Sequence, residues 1–314
     1  MDLQELQRKV VDSDGFDSIE KYFNVCREFL CLLNDLQPTR IISPTAHNYV
    51  FFQFSEDYGH KITRPLNVDL YIEESGSFET EFEKFVDLLD ELRKSEKRAL
   101  TVKKHNRFLK ANGINRIIYT IQQSIGSIGD SFPNANQSRK RVGMLFEQLV
   151  KHILLEVGLT CVSKTISIPL AEYPLNSMSY ELDLVISRGK AIVAPVDSLI
   201  KSNEIVGSVK TTSKDRIDKV FMDKYMMSKL LGRPIPVIAI FLPDVQRARK
   251  GGSIFGVNST FKSNHFLGYT YMLNRLDGVY YVDPRPNMVD DAKLSQEISD
   301  FGKFLTRDLW NLVK

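Results

Sequence analysis

An acid and a lysine on two predicted strands are the residues whose types and spacing are best suited to chemistry. Asp183 lies within the apolar run 180–187, and Lys210 ends the apolar run 204–210. A carboxylate can bind a hard divalent cation, and a lysine beside such an ion can orient water and offset developing negative charge. An acid buried in a strand without a role is costly. The pair therefore predicts a metal-dependent site for phosphodiester hydrolysis.

Two further acids are candidates for the same site. Ser208 occupies the place two residues before the lysine where such sites often carry an acid, so another carboxylate is needed. Asp223 follows Lys210 by thirteen residues on a predicted helix, and Glu147 lies on a predicted helix over residues 142–157. Both acids also have an ordinary explanation as partners of nearby lysines in solvated helical ion pairs.

Lys214, Asp215 and Arg216 open the helix that follows Lys210. The positive end of a helix suits a polyanion. Arginine can bind guanine through O6 and N7, and an acid can accept a hydrogen bond from cytosine N4. The three residues are therefore candidate readers of C·G pairs. The alternative is that Asp215 is a helix N-cap and Arg216 a surface charge.

A second basic segment is a candidate for contact with a phosphate backbone. It contains Arg247, Arg249 and Lys250, followed by two glycines. Glycine allows a loop to approach a phosphate closely. The basic stretch 93–110 is expected instead to be a solvated helix and loop.

The elements that must position these residues fall into two parts. Before residue 125 the patterns are mostly helical, with predicted helices at 17–36, 77–92 and 106–121 and strands at 47–54 and 67–72. Residues 124–138 are rich in Ser, Gly and Asn and predict a loop or linker. We place the domain boundary here, with an N-terminal, mostly helical subdomain at 1–125 and a core at 126–314.

The core alternates between strands and helices. After the helix at 142–157, strands are expected at 162–168, 181–187, 204–210 and 237–242, a helix at 215–231, a hairpin over 269–282 and a last helix at 295–313. This order predicts an α/β (α+β) fold with a central mixed β-sheet flanked by helices.

Composition excludes several classes of protein. A hydrophobic fraction of 43% and a charged fraction of 26% are typical of a soluble globular domain. The net charge of +3 does not by itself indicate a nucleic-acid-binding protein. No apolar run is long enough to span a bilayer, and the N-terminus lacks a signal-peptide pattern. The three cysteines show no metal-ligand spacing and are expected to be buried free thiols. The five histidines show no such spacing either and are expected to have no functional role. We expect a cytoplasmic protein.

The stretch Lys210-Thr-Thr-Ser-Lys-Asp-Arg216, with Ser208 before the lysine and Asp223 after it, resembles the PD-(D/E)xK nuclease superfamily. The similarity is to the restriction endonucleases that recognise CCGG, CCNGG or CCWGG. It covers roughly residues 139–242, and Gly143-x-x-Phe146-Glu147 resembles the first helix of those enzymes.

The resemblance implies a restriction-endonuclease-like core in a bacterial or archaeal type II enzyme. It would cut double-stranded DNA with Mg²⁺ and leave 5′-phosphate ends. Glu147, Asp183, Lys210 and Asp223 would be catalytic, with the three acids as metal ligands. A palindromic target implies a homodimer, which could assemble further into a tetramer, with a cognate methyltransferase as a genetic rather than a physical partner. The alternatives are a repair or structure-specific nuclease of the same fold, a DNA-binding module that has lost activity, and an enzyme that does not act on nucleic acid and carries the motif by chance.

Overall fold

The computed structural model of the chain describes residues 2–12, 14–94, 98–170, 173–189, 200, 203–213 and 216–313. The chain divides into two compact units. The first unit comprises residues 1–152 and 244–260, and the second comprises residues 153–243 and 261–314. The sequence-based division at 125/126, with its roles for the two parts, stays a prediction.

The first unit is built mainly from helices. Its helices are α1 (Leu3–Val11), α2 (Ile19–Leu36), α3 (Ser75–Lys94), α4 (Arg98–Lys104), α5 (Asn106–Lys110), α6 (Gly113–Asp130) and α7 (Ala135–Glu156), the last of which ends in the second unit. Its small sheet contains β1 (Thr39–Ile42), β2 (Tyr49–Gln53) and β3 (Leu66–Asn67), paired antiparallel.

Helix α6 is the centre of this unit, because nearly every residue over 113–129 is buried. It is apolar on several sides, and several of its polar side chains form hydrogen bonds within the unit. Ser124 Oγ, for example, lies 3.0 Å from the hydroxyl of Tyr71. A Cβ atom at Gly129 would lie 2.6 Å from Val142, so a glycine is required where α7 approaches. The small and polar residues of α6 therefore belong to a buried helix.

The second unit contains a mixed sheet. Its strands are β4 (Thr160–Leu170), β5 (Tyr173–Ser187), β6 (Ile205–Lys210), β7 (Val237–Phe241), β10 (Gly278–Tyr281) and β11 (Ile298–Asp300). Within the described residues the strand order is β11-β10-β7-β6-β5-β4. Neighbours from β6 to β11 are parallel, whereas β4 and β5 and then β5 and β6 are antiparallel. The first unit holds the hairpin β8 (Val245–Lys250) and β9 (Ser253–Ser259).

Helices cover both faces of the mixed sheet. On one face, α8 (Ile217–Leu231) and α9 (Ser263–Met272) pack through Phe221 and Phe266 onto a core that contains Tyr281 of β10. On the other face, Tyr280 packs against Phe304, with ring centroids 4.6 Å apart. The expected α/β fold with a central mixed sheet flanked by helices is confirmed.

The remaining elements complete the C-terminal part. They are α10 (Pro286–Asp290), α11 (Phe301–Lys303), the π-helical turn Phe304–Asp308 and α12 (Leu309–Leu312). In the described part of the chain, no helix is long and apolar enough to cross a membrane.

Several local predictions are wrong or hold only in part. The predicted helix at 106–121 is divided into α5 and α6, which are separated at residues 111–112, where Asn112 has φ of 57°. Cys31 is exposed rather than buried. Residues 124–130 are the end of α6 and residues 135–138 the start of α7, so only residues 131–134 form the predicted loop; Ser124 and Ser138 are buried, and Gly129 lies against Val142. Residues 269–274 are not a strand of a hairpin, since α9 continues to Met272 and β10 pairs in parallel with β7. The predicted helix at 295–313 begins only at residue 301, after β11. The predicted strand at 67–72 is reduced to the two residues of β3.

Candidate active site

Asp183 and Lys210 meet at the end of β6. Lys210 Nζ donates a hydrogen bond to Asp183 Oδ2 at 2.5 Å. The same oxygen accepts hydrogen bonds from the backbone N–H of Val209 at 2.9 Å and from the Ser208 hydroxyl at 3.2 Å. The side chains of Asp183 and Lys210 are only 13% and 24% exposed. The pair predicted from the sequence is therefore assembled.

A β-bulge directs the Asp183 side chain. Val162 is opposite Val185, but Lys164 is opposite Leu182, so two residues of β5, Asp183 and Leu184, face one residue of β4. Leu182 and Val185 consequently pack into the same core cluster, although their spacing would put them on opposite faces of a regular strand. The extra residue bends β5 at the acid.

The three donors to Asp183 all reach one of its two oxygens. Removing a carboxylate from water costs free energy unless the group is paired and hydrogen-bonded. The three donors from β6 offset that desolvation cost through Oδ2. No described residue donates to Oδ1. Oδ1 is therefore the oxygen that remains to interact with a cation or a water molecule.

Asp223 lies on α8 and takes part in an ion pair. Lys219 Nζ donates to Asp223 Oδ2 at 2.5 Å, and the Asp223 side chain is 31% exposed. Burial raises the pKa of Tyr180 on β5, and the negative charge of Asp223 raises it further. The charge of Asp223 therefore acts on Tyr180 of β5, and its role as a metal ligand stays a prediction.

A buried lysine anchors α8 to the sheet. Lys224 Nζ donates to Asp277 Oδ2 at 2.6 Å and to the carbonyl oxygen of Arg275. Asp277 Oδ2 also accepts from the backbone N–H of Val237, the first residue of β7, at 2.7 Å. Lys224 is only 7% exposed. A sequence signal for this burial is the position of Lys224 between the core residues Phe221 and Met227 at helical spacing.

Of the three candidate base-reading residues, Lys214 and Asp215 lie outside the described residues. Arg216 is exposed at the N-cap of α8, where its backbone N–H donates to the Ser213 carbonyl at 3.2 Å. Its carbonyl oxygen accepts from the backbone N–H of Val220. Arg216 therefore marks the start of α8, six residues after Lys210.

Glu147 is half-buried on α7, in the first of the two units. Asp183, Lys210 and Asp223 belong to the second unit. The catalytic role of Glu147 beside these residues stays a prediction.

The second basic segment is a β-hairpin rather than a loop. Arg247, Arg249 and Lys250 are exposed on β8. Gly251 and Gly252, with φ of 59° and 80°, join Lys250 to its pairing partner Ser253. A two-residue turn with positive φ at both positions matches the twist of a hairpin and favours glycine. The three basic side chains therefore lie on a regular β-hairpin and are exposed to solvent.

The base of this hairpin is fixed within the first unit. Val245 and Val257 pack with Tyr49 and Phe51 of β2 in a small core. The Val257 backbone N–H also donates to Thr45 Oγ1 at 2.9 Å. Core packing and this hydrogen bond hold the hairpin on the small sheet. The sequence signal was the pair of glycines, which marks a hairpin turn when strands flank it.

Comparison with known proteins identifies the fold. No protein-family model matches the sequence, and no curated protein matches it significantly. The crystal structure of the Type IIP restriction endonuclease Kpn2I is similar, with a TM-score of 0.71 and 19% sequence identity over 98% of this chain and 96% of that chain. The restriction endonuclease PspGI in its complex with substrate DNA gives a TM-score of 0.37, with 15% identity over 75% of this chain and 91% of that chain, which is too low to support an argument. The chain therefore has a restriction-endonuclease-like fold over nearly its whole length.

Proposed function

We propose that this protein is a type II restriction endonuclease that cuts double-stranded DNA. The observation that carries the proposal is the Asp183–Lys210 pair at the end of β6, within a restriction-endonuclease-like fold. Because residues 210–216 resemble the motif of the CCGG-, CCNGG- and CCWGG-recognising enzymes, the proposed target is palindromic and has a CC/GG core. Cleavage yields 5′-phosphate and 3′-hydroxyl ends.

The proposed cofactor is Mg²⁺, and the chemistry of Asp183 fits it. Mg²⁺ in nucleotide and nucleic-acid enzymes is usually bound by one or two carboxylates together with substrate phosphate and water. Asp183 offers Oδ1, and Asp223 and Glu147 are the proposed additional carboxylates. The ion, when bound, neutralises phosphoryl oxygens and lowers the pKa of water.

Lys210 has two tasks in the proposed mechanism. Its ammonium orients the attacking water, and it offsets the charge that develops on the phosphoryl group during in-line attack. The hydrogen bond from Lys210 Nζ to Asp183 Oδ2 holds the ammonium beside the carboxylate before substrate arrives. The backbone N–H of Val209 and the hydroxyl of Ser208 keep the carboxylate in place.

Recognition is assigned to the loop and helix that follow Lys210. Arg216 is proposed to contact guanine, with Lys214 and Asp215 completing the C·G-reading set. Arg247, Arg249 and Lys250 are proposed to contact the phosphate backbone, which gives affinity without sequence information. A single strand–loop–helix segment then joins base reading to catalysis.

A palindromic target calls for two copies of the site, so we propose a homodimer, with assembly to a tetramer as an alternative that size measurements decide. The protein would act in a bacterial or archaeal cytoplasm. Its cognate DNA methyltransferase would be a genetic partner that protects host sites and need not bind the enzyme.

The test is digestion of phage DNA with the purified chain and Mg²⁺, followed by sequencing of the ends. Discrete fragments whose ends share a site with a CC/GG core are expected, and Lys210→Ala should stop cutting while binding is retained. Lys84→Ala, a surface lysine paired with Glu81 on α3, is the matched control and should cut normally. A smear of products opposes sequence specificity, cleavage confined to junctions or mismatches indicates a repair nuclease, and binding without cleavage indicates a module that has lost activity.

A further inference from the structure

The first unit contains a group of ligand-type side chains outside the proposed nuclease residues. Asp87 and Glu91 lie one turn apart on α3, and His105 lies between α4 and α5. Their ligand atoms all lie within 4.8 Å of one another. Within the described residues this is the only group of three or more His, Cys, Asp or Glu side chains that meets this distance.

The distances from His105 to the two carboxylates are close to the ligand spacing of a small tetrahedral metal site. His105 Nε2 lies 3.2 Å from Glu91 Oε2 and 3.9 Å from Asp87 Oδ2. Ligand atoms of a tetrahedral zinc ion lie about 3.4 Å apart when the metal–ligand bonds are about 2.1 Å long. Rotation of the Asp87 side chain, which is 61% exposed, can shorten the longer of these distances.

The orientation of His105 is the second observation. Its side chain is 9% exposed, and Nε2 faces both carboxylates. Glu91 Oε2, at 3.2 Å, is close enough to form an ion pair with a protonated ring, but its direction does not meet hydrogen-bond geometry with this nitrogen. A buried ring nitrogen that faces two carboxylates without an aligned hydrogen bond is suited to coordinate a cation.

An ordinary ion pair explains only part of this arrangement. Lys104 donates to Glu91 through Oε1, which leaves Oε2 directed toward His105. The Lys104 side chain is 63% exposed, so it contacts the group from its solvent side. The lysine therefore balances one negative charge without occupying the space between His105 and the two carboxylates.

We propose that Asp87, Glu91 and His105 form a zinc site that fastens α3 to the junction of α4 and α5. One imidazole nitrogen and two carboxylate oxygens suit Zn²⁺, with water as a fourth ligand. Mg²⁺ prefers six oxygen ligands in octahedral geometry and does not suit this donor set. The site joins two segments of the first unit and does not depend on the proposed nuclease activity.

The test is a calorimetric titration of the chelator-treated full-length chain with ZnCl₂ in buffer that contains excess Mg²⁺. We expect one tightly bound zinc ion per chain. His105→Ala should lose this binding. Because that change removes a buried side chain, Asp87→Asn at an exposed position is the second variant, and it should weaken zinc binding without changing the fold.

Two controls separate this site from adventitious zinc binding. His47→Ala removes an exposed histidine outside the group, and Cys31→Ser removes the exposed thiol. Both should bind zinc like the wild type, and zinc should raise their Tm but not that of His105→Ala. The proposal is overturned if the wild type binds no stoichiometric zinc, or if Asp87→Asn and His105→Ala bind it with wild-type affinity.

Discussion

Replacing Lys210 with methionine tests whether the Asp183–Lys210 pair is both a structural contact and a catalytic one. Methionine keeps most of the length of the lysine side chain and removes its charge. Asp183 then keeps the hydrogen bonds from Val209 and Ser208 but loses the one from the ammonium. The variant therefore isolates the charge at a nearly unchanged volume.

The expected loss of stability follows from the partial burial of the pair. Removing one partner of a fully buried ion pair costs about 3–5 kcal/mol. Lys210 is 24% exposed, and Asp183 retains two of its three donors, so the cost should fall to that of one charge-assisted hydrogen bond, about 1.5–3 kcal/mol. Urea unfolding followed by circular dichroism measures this difference.

The expected loss of activity is larger than the loss of stability can explain. Removing one group that stabilises transition-state charge lowers kcat by about 100-fold or more. Plasmid cleavage with saturating Mg²⁺, at a temperature where the variant is folded, measures this effect. A cycle with Asp183→Asn and the double variant should show that the two stability costs are not additive, because each single change removes the same ion pair.

Two results would refute this reasoning. Wild-type cleavage by Lys210→Met would remove the lysine from the mechanism. An additive cycle would show that the side chains do not interact in solution, whatever the activity. Lys84→Ala should change neither the urea midpoint nor cleavage by more than a small amount, since its ion pair is exposed.

Three further predictions concern other parts of the chain. Lys224→Met should destabilise the protein by about 1.5–3 kcal/mol in urea unfolding, because it removes the buried anchor of α8, and an unchanged midpoint would contradict that role. Replacing both Arg247 and Arg249 with alanine should lower the slope of log Kd against log salt concentration by about 0.9 for each phosphate that the arginines no longer neutralise. Fluorescence anisotropy with a DNA duplex measures this slope, and an unchanged slope would exclude the hairpin from the DNA interface. Burial raises the pKa of the Cys26 thiol, so iodoacetamide at pH 8 should label exposed Cys31 and label Cys26 only after unfolding, as peptide mass spectrometry can show.

The active-site pair was predictable because its signals are local. Asp183 and Lys210 each lie in an apolar run with the features of a strand, and neighbouring strands place them side by side. The bulge at Asp183 was not predictable, since it is defined only by the pairing of β5 with β4. The same holds for β10, whose parallel partner β7 is distant in sequence.

Helix α6 shows why composition misled the prediction over 124–138. Ser, Gly and Asn predict a loop when they are exposed, whereas here Ser124 and Gly129 allow close packing inside the unit. His105 was predicted to be incidental because its spacing from Asp87 and Glu91 fits no sequence pattern for metal ligands. Its environment arises from the packing of α4 and α5 beside α3, which the sequence does not specify locally.

The bulge in β5 makes the length of this strand a constraint in its own right. Deleting Leu184 would restore a regular ladder with β4, in which Leu182 and Val185 would be two residues apart and would keep the core face. Asp183 between them would then turn to the opposite face of the sheet, away from Lys210. We therefore expect single-residue insertions and deletions around Asp183 to be far less tolerated than substitutions of the apolar residues beside it.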